Sequence, residues 1–170
     1  YEFSKSSTDM MCKTYRTTYN LPVSVLRCGN IYGGGDLNWD RLIPGVIKWL
    51  INNETPVLRT NGTFKREWVY VEDVVQAYIG VGKALLNDEI EVSDAYNFSS
   101  TEYLSVMDVY KKIISKFSES YIEPIIKEDS DYEIKDQYLS SEKIKKELGI
   151  NSTYNMDSAL SETIEWYQSF

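Results

Sequence analysis

The chain has 170 residues, with 18 Lys and Arg against 26 Asp and Glu, a net charge of −8, two cysteines, 14 tyrosines and no histidine. Its length fits one domain of about 100 to 200 residues, and 42% apolar with 14% aromatic residues is enough to fill a core, which excludes a disordered chain. Without histidine, a Ser-His-Asp triad, an imidazole base and a His-ligated metal are all excluded, and two cysteines cannot form a four-thiolate zinc site, so no metal is expected.

In chain order, Tyr1 to Asn20 lacks proline and glycine, and Phe3, Ser7, Met11, Tyr15 and Tyr19 recur at every fourth position, which predicts a helix. Asn20-Leu21-Pro22 ends it, because the residue before proline is driven out of the α region. Val23 to Leu26 favours a short strand, and Arg27, Cys28, Gly29 and Asn30 lead into a loop with Gly33-Gly34-Gly35. Asp40 is the expected cap of a second helix, with Ile43, Val46, Ile47, Leu50 and Ile51 as its apolar stripe and Pro44 tolerable in its first turn. Pro56 to Thr60 reads as a short strand, Asn61-Gly62 as a tight turn, and Thr63 to Val71 as a second strand, giving a hairpin-like arrangement.

Glu72 to Leu86 is again helical in spacing, through Val74, Tyr78, Val81 and Leu85, with Asp73 in the first turn where negative charge is favoured. Gly80 and Gly82 weaken its second half. Ala95 to Phe98 is a strand, Ser105 to Phe117 a helix with Val106, Val109, Ile113, Ile114 and Phe117 on one side, and Pro124 to Ile126 a weaker strand. Ser140 to Leu148 is a short helix stopped by Gly149, and Asp157 begins a terminal helix lined by Leu160, Ile164 and Tyr167. The mixed order indicates an α/β chain with no internal repeat or interdomain linker.

Cys12 and Cys28 form no disulfide framework and suit a reducing cytoplasm. No apolar run reaches about 18 residues and the first residues lack a signal-peptide layout, so neither membrane insertion nor export is expected. The acidic total argues against nucleic acid. Residues 1–70 nevertheless carry a net +3, which leaves −11 on residues 71–170. An anion-binding surface is therefore expected in the first part, the acidic remainder being accounted for equally well as a solvated helical surface.

Tyr1 and Lys5 stand four residues apart and project from one helix face. A free phenol is a poor base at neutral pH, since its pKa is about 10, and a neighbouring cation favours the phenolate. Such a pair is able to take a proton from a sugar hydroxyl while a nicotinamide takes the hydride; a surface Tyr-Lys pair without chemistry is the alternative. Arg27 to Gly35 follows a strand directly, at the position where open α/β sheets bind ligands, and its glycines let backbone approach a phosphate or a flat ring. An ordinary glycine-rich connection is the competing account. Arg59, Lys65 and Arg66 gather around the Asn61-Gly62 turn, and arginine's planar fork suits a diphosphate. Asp36, Asp40, Glu67, Glu72 and Asp73 are acid-base candidates that capping and salt bridging explain as well.

The order of these pieces is more specific than any of them. A YxxxK helix, a short strand, R-x-x-N-x-Y-G, an amphipathic helix, P-V-x-x-x-x-G and then R-x-W-V-Y-V-x-D opening a helix resembles the extended short-chain dehydrogenase/reductase family, over essentially the whole chain. Leu26 to Trp39 and Asp136-Gln137-Tyr138-Leu139 are most similar to the CDP-glucose 4,6-dehydratase branch: many relatives in the family have Gly-Pro where this chain has Gly33-Gly34, whereas the triple glycine followed by Asp36-Leu37-Asn38-Trp39 resembles that branch.

The resemblance implies an NAD(P)-binding Rossmann-like fold, of which this chain supplies the C-terminal portion. Residues 1–35 correspond to the last helix and strand of the cofactor domain, and residues 36–170 mainly to the substrate-binding domain. It implies Tyr1 as catalytic base and Lys5 as its partner, both beside the NAD nicotinamide ribose. It places Asn30 near the substrate diphosphate, Arg66 as the clamp on that diphosphate, Arg59 near the nucleotide base, Gln137 as a late nucleotide contact, and Asp73 in an architectural role. The implied reaction oxidises C4 of CDP-glucose with NAD, eliminates water across C5 and C6, and returns the hydride to C6. The family also implies pairing of subunits through the Tyr-Lys helix, with Met10, Met11 and Tyr15 as the surface.

No G-x-x-G-x-x-G turn occurs in the 170 residues, and a pyrophosphate needs such a helix N-terminus. The expectation is a C-terminal part of a larger dehydratase that binds NAD negligibly by itself. A nucleotide-sugar 4-epimerase and a non-catalytic sugar-nucleotide-binding module are the alternatives.

Overall fold

The computed structural model describes residues 1–87, 91–127 and 134–170. Along these residues run α1 (Glu2–Tyr19), β1 (Val25–Cys28), β2 (Asn30–Tyr32), α2 (Leu42–Ile51), β3 (Val57–Leu58), β4 (Lys65–Tyr70), α3 (Val71–Leu85), β5 (Ala95–Phe98), β6 (Tyr103–Ser105), α4 (Val106–Phe117), β7 (Ile125–Ile126), α5 (Glu142–Leu148) and α6 (Met156–Ser169). This is a mixed α/β fold with parallel strand pairs. β1 pairs with β5, β2 with β4 and β3 with β7, all parallel, and β6 adds antiparallel to β4.

Gly29 is where the chain passes from one sheet to the next. Its N–H donates to Phe98 O at 3.0 Å, extending the β1–β5 ladder by one bond. Asn30 then lies opposite Trp68 and Tyr32 opposite Tyr70, in the sheet built on β4. A side chain at Gly29 would place its Cβ 2.6 Å from Ser99 Oγ, so any larger residue there would have to displace that hydroxyl.

β4 separates two cores, because successive strand side chains point to opposite faces. Trp68 and Tyr70 enter one cluster with Ile43, Ile47, Val109, Ile113, Leu160 and Tyr167, from α2, α4 and α6. Val69 enters the other with Val74, Val81, Tyr96, Phe98 and Ile144, from α3, β5 and α5.

Several helix ends follow directly from sequence. Ser105 and Asp108 form a reciprocal capping box on α4, Gly149 closes α5 at φ 68°, and the Asn155 side chain caps α6 by accepting the Ser158 N–H. α3 continues through both glycines. At Gly80 a Cβ would lie 2.7 Å from Ile150 Cδ1, so this glycine admits the chain after α5 rather than weakening the helix.

Other expectations are corrected. Asp40 does not cap α2, whose N-cap is Arg41 without a side-chain bond. β3 and β4 form no hairpin: Gly62 turns at φ 79°, but β3 pairs with β7 and β4 with β2 and β6. Tyr78 is exposed rather than on the buried stripe of α3. β2 and β6, three residues each, fall where a loop and an unassigned stretch were expected. Among the described residues no helix is long and apolar enough to cross a membrane, and no cluster of three or more Cys, Asp or Glu is arranged to hold a metal ion.

Candidate functional site

β4 gathers three of the sequence-predicted residues. Asn30 opens β2, and its side-chain amide donates to Glu67 O at 3.2 Å. Arg66, one residue earlier on β4, donates from Nη1 to Lys65 O at 2.8 Å and to Lys135 O at 3.2 Å, with its guanidinium 5.9 Å from the Phe64 ring centroid. The segment carrying Gln137 lies along the same strand. Lys65 N–H donates to Lys135 O at 3.0 Å, Gln137 N–H donates to Lys65 O at 3.3 Å, and Lys65 and Asp136 form an isolated parallel bridge. Tyr103 of β6 donates its hydroxyl to the Asp136 carboxylate at 2.9 Å.

Glu67 is buried at the centre of this group, and its carboxylate accepts the Leu139 N–H at 2.6 Å. Burial pushes the Glu67 carboxyl above the ordinary carboxylate range, while the Leu139 amide draws it down.

Arg59 sits elsewhere, just beyond β3, on a cleft of about 390 Å³ lined among others by Trp39, Arg41, Trp49 and Lys127. Its Nη2 lies 3.6 Å from the Asp40 carboxylate. Arg41 bonds the Asp36 carboxylate at 3.0 Å, and Lys48 Nζ stands 5.0 Å from the Trp39 ring centroid. Indole faces beside several cations suit a flat aromatic ring carrying an anion. Arg59, Lys65 and Arg66 are thus not one cationic turn: Arg59 faces this cleft, Lys65 covers the Tyr103 ring at 5.7 Å, and Arg66 holds the segment after residue 134.

Tyr1 and Lys5 occupy the start of α1, where Tyr1 is 86% exposed. They share a face, with Lys5 Nζ 5.6 Å from the Tyr1 ring centroid. α1 buries none of its side chains among the described residues. It is held by polar links: Arg27 to the Asp9 carboxylate at 2.7 Å, and Arg16 to Asp94 at 3.1 Å, to Val23 O at 2.8 Å and to Val92 O.

The glycine loop after β2 is a packing device at two of its positions. A Cβ on Gly34 would stand 2.5 Å from Trp166 Cγ, and one on Gly33 would collide with Val71 Cγ1. The Tyr167 hydroxyl bonds Asp36 O at 2.7 Å and Gly33 O at 3.3 Å. Gly33 therefore admits α3 and Gly34 admits α6. Gly35, at φ 88°, has nothing within 4 Å of its Cβ position.

Asp73 is 2% exposed, and its carboxylate accepts from Ser152 Oγ, Thr153 N, Thr153 Oγ1 and Tyr154 N at 2.7, 2.8, 2.9 and 3.2 Å. It is an architectural residue tying α3 to the chain between α5 and α6. Sequence reasoning left Glu67 as an undifferentiated acid; its one signal was a carboxylate directly before the apolar run Trp68-Val69-Tyr70-Val71. Tyr103 and Trp49 gave no local signal, because their neighbours come from distant segments.

The model of the NAD dependent epimerase/dehydratase family matches residues 1–97, and the chain belongs to that family. It is 29% identical over 178 residues to the dTDP-glucose 4,6-dehydratase of Shigella flexneri, covering 98% of this chain and 46% of the relative. It is 23% identical to the CDP-glucose 4,6-dehydratase of Salmonella typhimurium, covering 100% of this chain and 50% of that one. The crystal structure of dTDP-glucose 4,6-dehydratase from Bacillus anthracis in complex with NAD superposes with a TM-score of 0.81 at 27% identity, over 99% of this chain and 52% of the other. The chain thus spans about half the length of these relatives.

Proposed function

We propose that this chain is the C-terminal part of an NAD-dependent nucleotide-sugar 4,6-dehydratase that works in the cytoplasm on CDP-glucose. The observation that carries the reading is the meeting of Asn30, Arg66 and the Gln137 segment along β4. Arg66 offers a planar fork to the diphosphate, Asn30 an amide beside it, and Gln137 a contact to the nucleotide. Arg59 and the indoles of the neighbouring cleft receive the base. The family and the dehydratases at similar length ratios support the reaction class. The cytidine base is supported by the likeness of Gly33 to Trp39 and of Asp136 to Leu139 to the CDP-glucose branch.

Residues 1–35 are assigned to the cofactor domain and 36–170 mainly to the substrate domain. NAD, when bound, accepts the hydride from C4 and supplies it again at C6. Tyr1 takes the proton of the C4 hydroxyl as that carbon becomes a ketone, and Lys5 holds the phenolate and the nicotinamide ribose in place. The proton leaves C5 and the hydroxyl leaves C6 as water; C6 then gains the hydride and C5 regains a proton, giving the 4-keto-6-deoxy sugar. No residue of this chain is assigned to that elimination. The NAD pyrophosphate turn is not among the 170 residues, so cofactor binding and turnover are assigned to the larger enzyme. Exposed Phe3, Met10, Met11 and Tyr15 on α1 favour a homo-oligomer paired through this helix.

The test is to incubate the full-length polypeptide with NAD and CDP-glucose and identify the product. A CDP-4-keto-6-deoxy sugar supports the reading. A C4-inverted nucleotide sugar points instead to a 4-epimerase, the other activity in the family's description, and binding without conversion points to a non-catalytic module.

A further inference from the structure

Residues 134–141 carry Gln137 but are held by few regular backbone bonds, so their position depends on attachments to neighbours. At one end is the main-chain bridge to Lys65. At the other, Ser141 Oγ accepts the Ser99 N–H at 2.8 Å and lies 3.2 Å from Ser99 O. Between them stands the Glu67 carboxylate on the Leu139 N–H, at 2.6 Å.

Glu67 is an unusual residue to find there. It is 5% exposed and shares a strand face with Val69, which is fully buried in the second core. An apolar side chain at 67 would continue that core, whereas a buried carboxylate costs several kcal/mol of desolvation unless its bonds recover it. Its position joins three parts of the site. The carbonyl of the same residue accepts the Asn30 amide, and the residue before it is Arg66.

We propose that Glu67 is a positioning residue that holds the Gln137–Leu139 segment against Asn30 and Arg66 and so shapes the surface that receives the nucleotide sugar. The identity of that ligand rests on the function proposed above. The placement of the segment does not.

The test compares the full-length polypeptide with its Glu67→Ala and Glu67→Gln variants by amide hydrogen exchange across residues 134–141 and by KM and kcat for CDP-glucose. In Glu67→Ala the Leu139 amide exchanges about tenfold faster or more, and KM rises about tenfold while kcat stays within about twofold. Glu67→Gln keeps an acceptor oxygen and recovers most of both. Unchanged exchange at Leu139 in Glu67→Ala overturns the proposal whatever the activity. So does a fall in kcat and Tm with no change in KM, which a merely structural carboxylate would give. If Glu67→Ala does not fold, Leu139→Pro deletes the donor and leaves the carboxylate; a tenfold rise in KM then supports the proposal and an unchanged KM overturns it. If the unaltered protein converts no nucleotide sugar, the proposed function fails, and the exchange result alone decides the role of Glu67.

Discussion

Asp73 and Thr153, eighty positions apart, are joined twice: the Asp73 carboxylate accepts both the main-chain amide and the hydroxyl of Thr153, at 2.8 and 2.9 Å. With Ser152 and Tyr154 on its other oxygen, this side chain fixes where the chain runs between α5 and α6. Asp73→Ala leaves these part-buried donors without their acceptor. The expected loss is about 2 to 4 kcal/mol in denaturant unfolding, and a loss below about 0.5 kcal/mol would contradict an architectural role.

Gly34 against Trp166 gives a second prediction. Gly34→Ala forces a methyl group into the indole, at an expected cost of about 1 to 3 kcal/mol. Shortening the indole in the Gly34→Ala/Trp166→Leu double variant relieves the clash, so the two losses add to less than their sum by about 1 kcal/mol. Strict additivity would show that the loop does not need glycine to admit α6.

The buried tyrosines predict an alkaline transition. Burial pushes the Tyr110 and Tyr167 hydroxyls up to about 12, Tyr110 further raised by Tyr121 and Tyr167 by Asp36. A tyrosine whose folded pKa exceeds its unfolded value of about 10 contributes stability that is complete below that value and lost as pH climbs toward the folded value. Ultraviolet titration at about pH 11 should show these two still neutral. Unfolding should accompany their ionisation, and normal titration of all tyrosines in a still-folded chain would contradict their burial.

Arg66 separates fork from charge. Arg66→Lys keeps the cation and loses the planar pair of donors, so the affinity of the full-length polypeptide for CDP-glucose is expected to fall about tenfold in calorimetry. Equal affinity would show that the diphosphate is held elsewhere.

Much of the fold was legible because it is local. Period-four spacing marked α1, the apolar stripe from Val106 to Phe117 marked α4, and Gly149 the end of α5. Strand partners were not legible. β2 and β6 are three residues each, too short for alternation to register, and Asn61-Gly62 is a turn without a hairpin because β3 pairs with β7, 68 positions away. Asn30, Arg66 and Gln137 were singled out through motif order, and the fold brings them together along β4. Glu67 was indistinguishable from other acids because its meaning lies in the Leu139 amide, which only the folded chain brings to it. The packing role of the glycine loop was hidden for the same reason: nothing near Gly34 in sequence announces Trp166.

The central claim is a 4,6-dehydration begun at Tyr1, and the path of one hydrogen tests it most directly. The full-length polypeptide is given NAD and CDP-glucose deuterated at C4, and the product is examined by NMR. The account predicts a CDP-4-keto-6-deoxy sugar with the deuterium on C6, and a Tyr1→Phe variant slower by about 100-fold or more. Deuterium retained on C4 of an inverted, still hydroxylated sugar would contradict it.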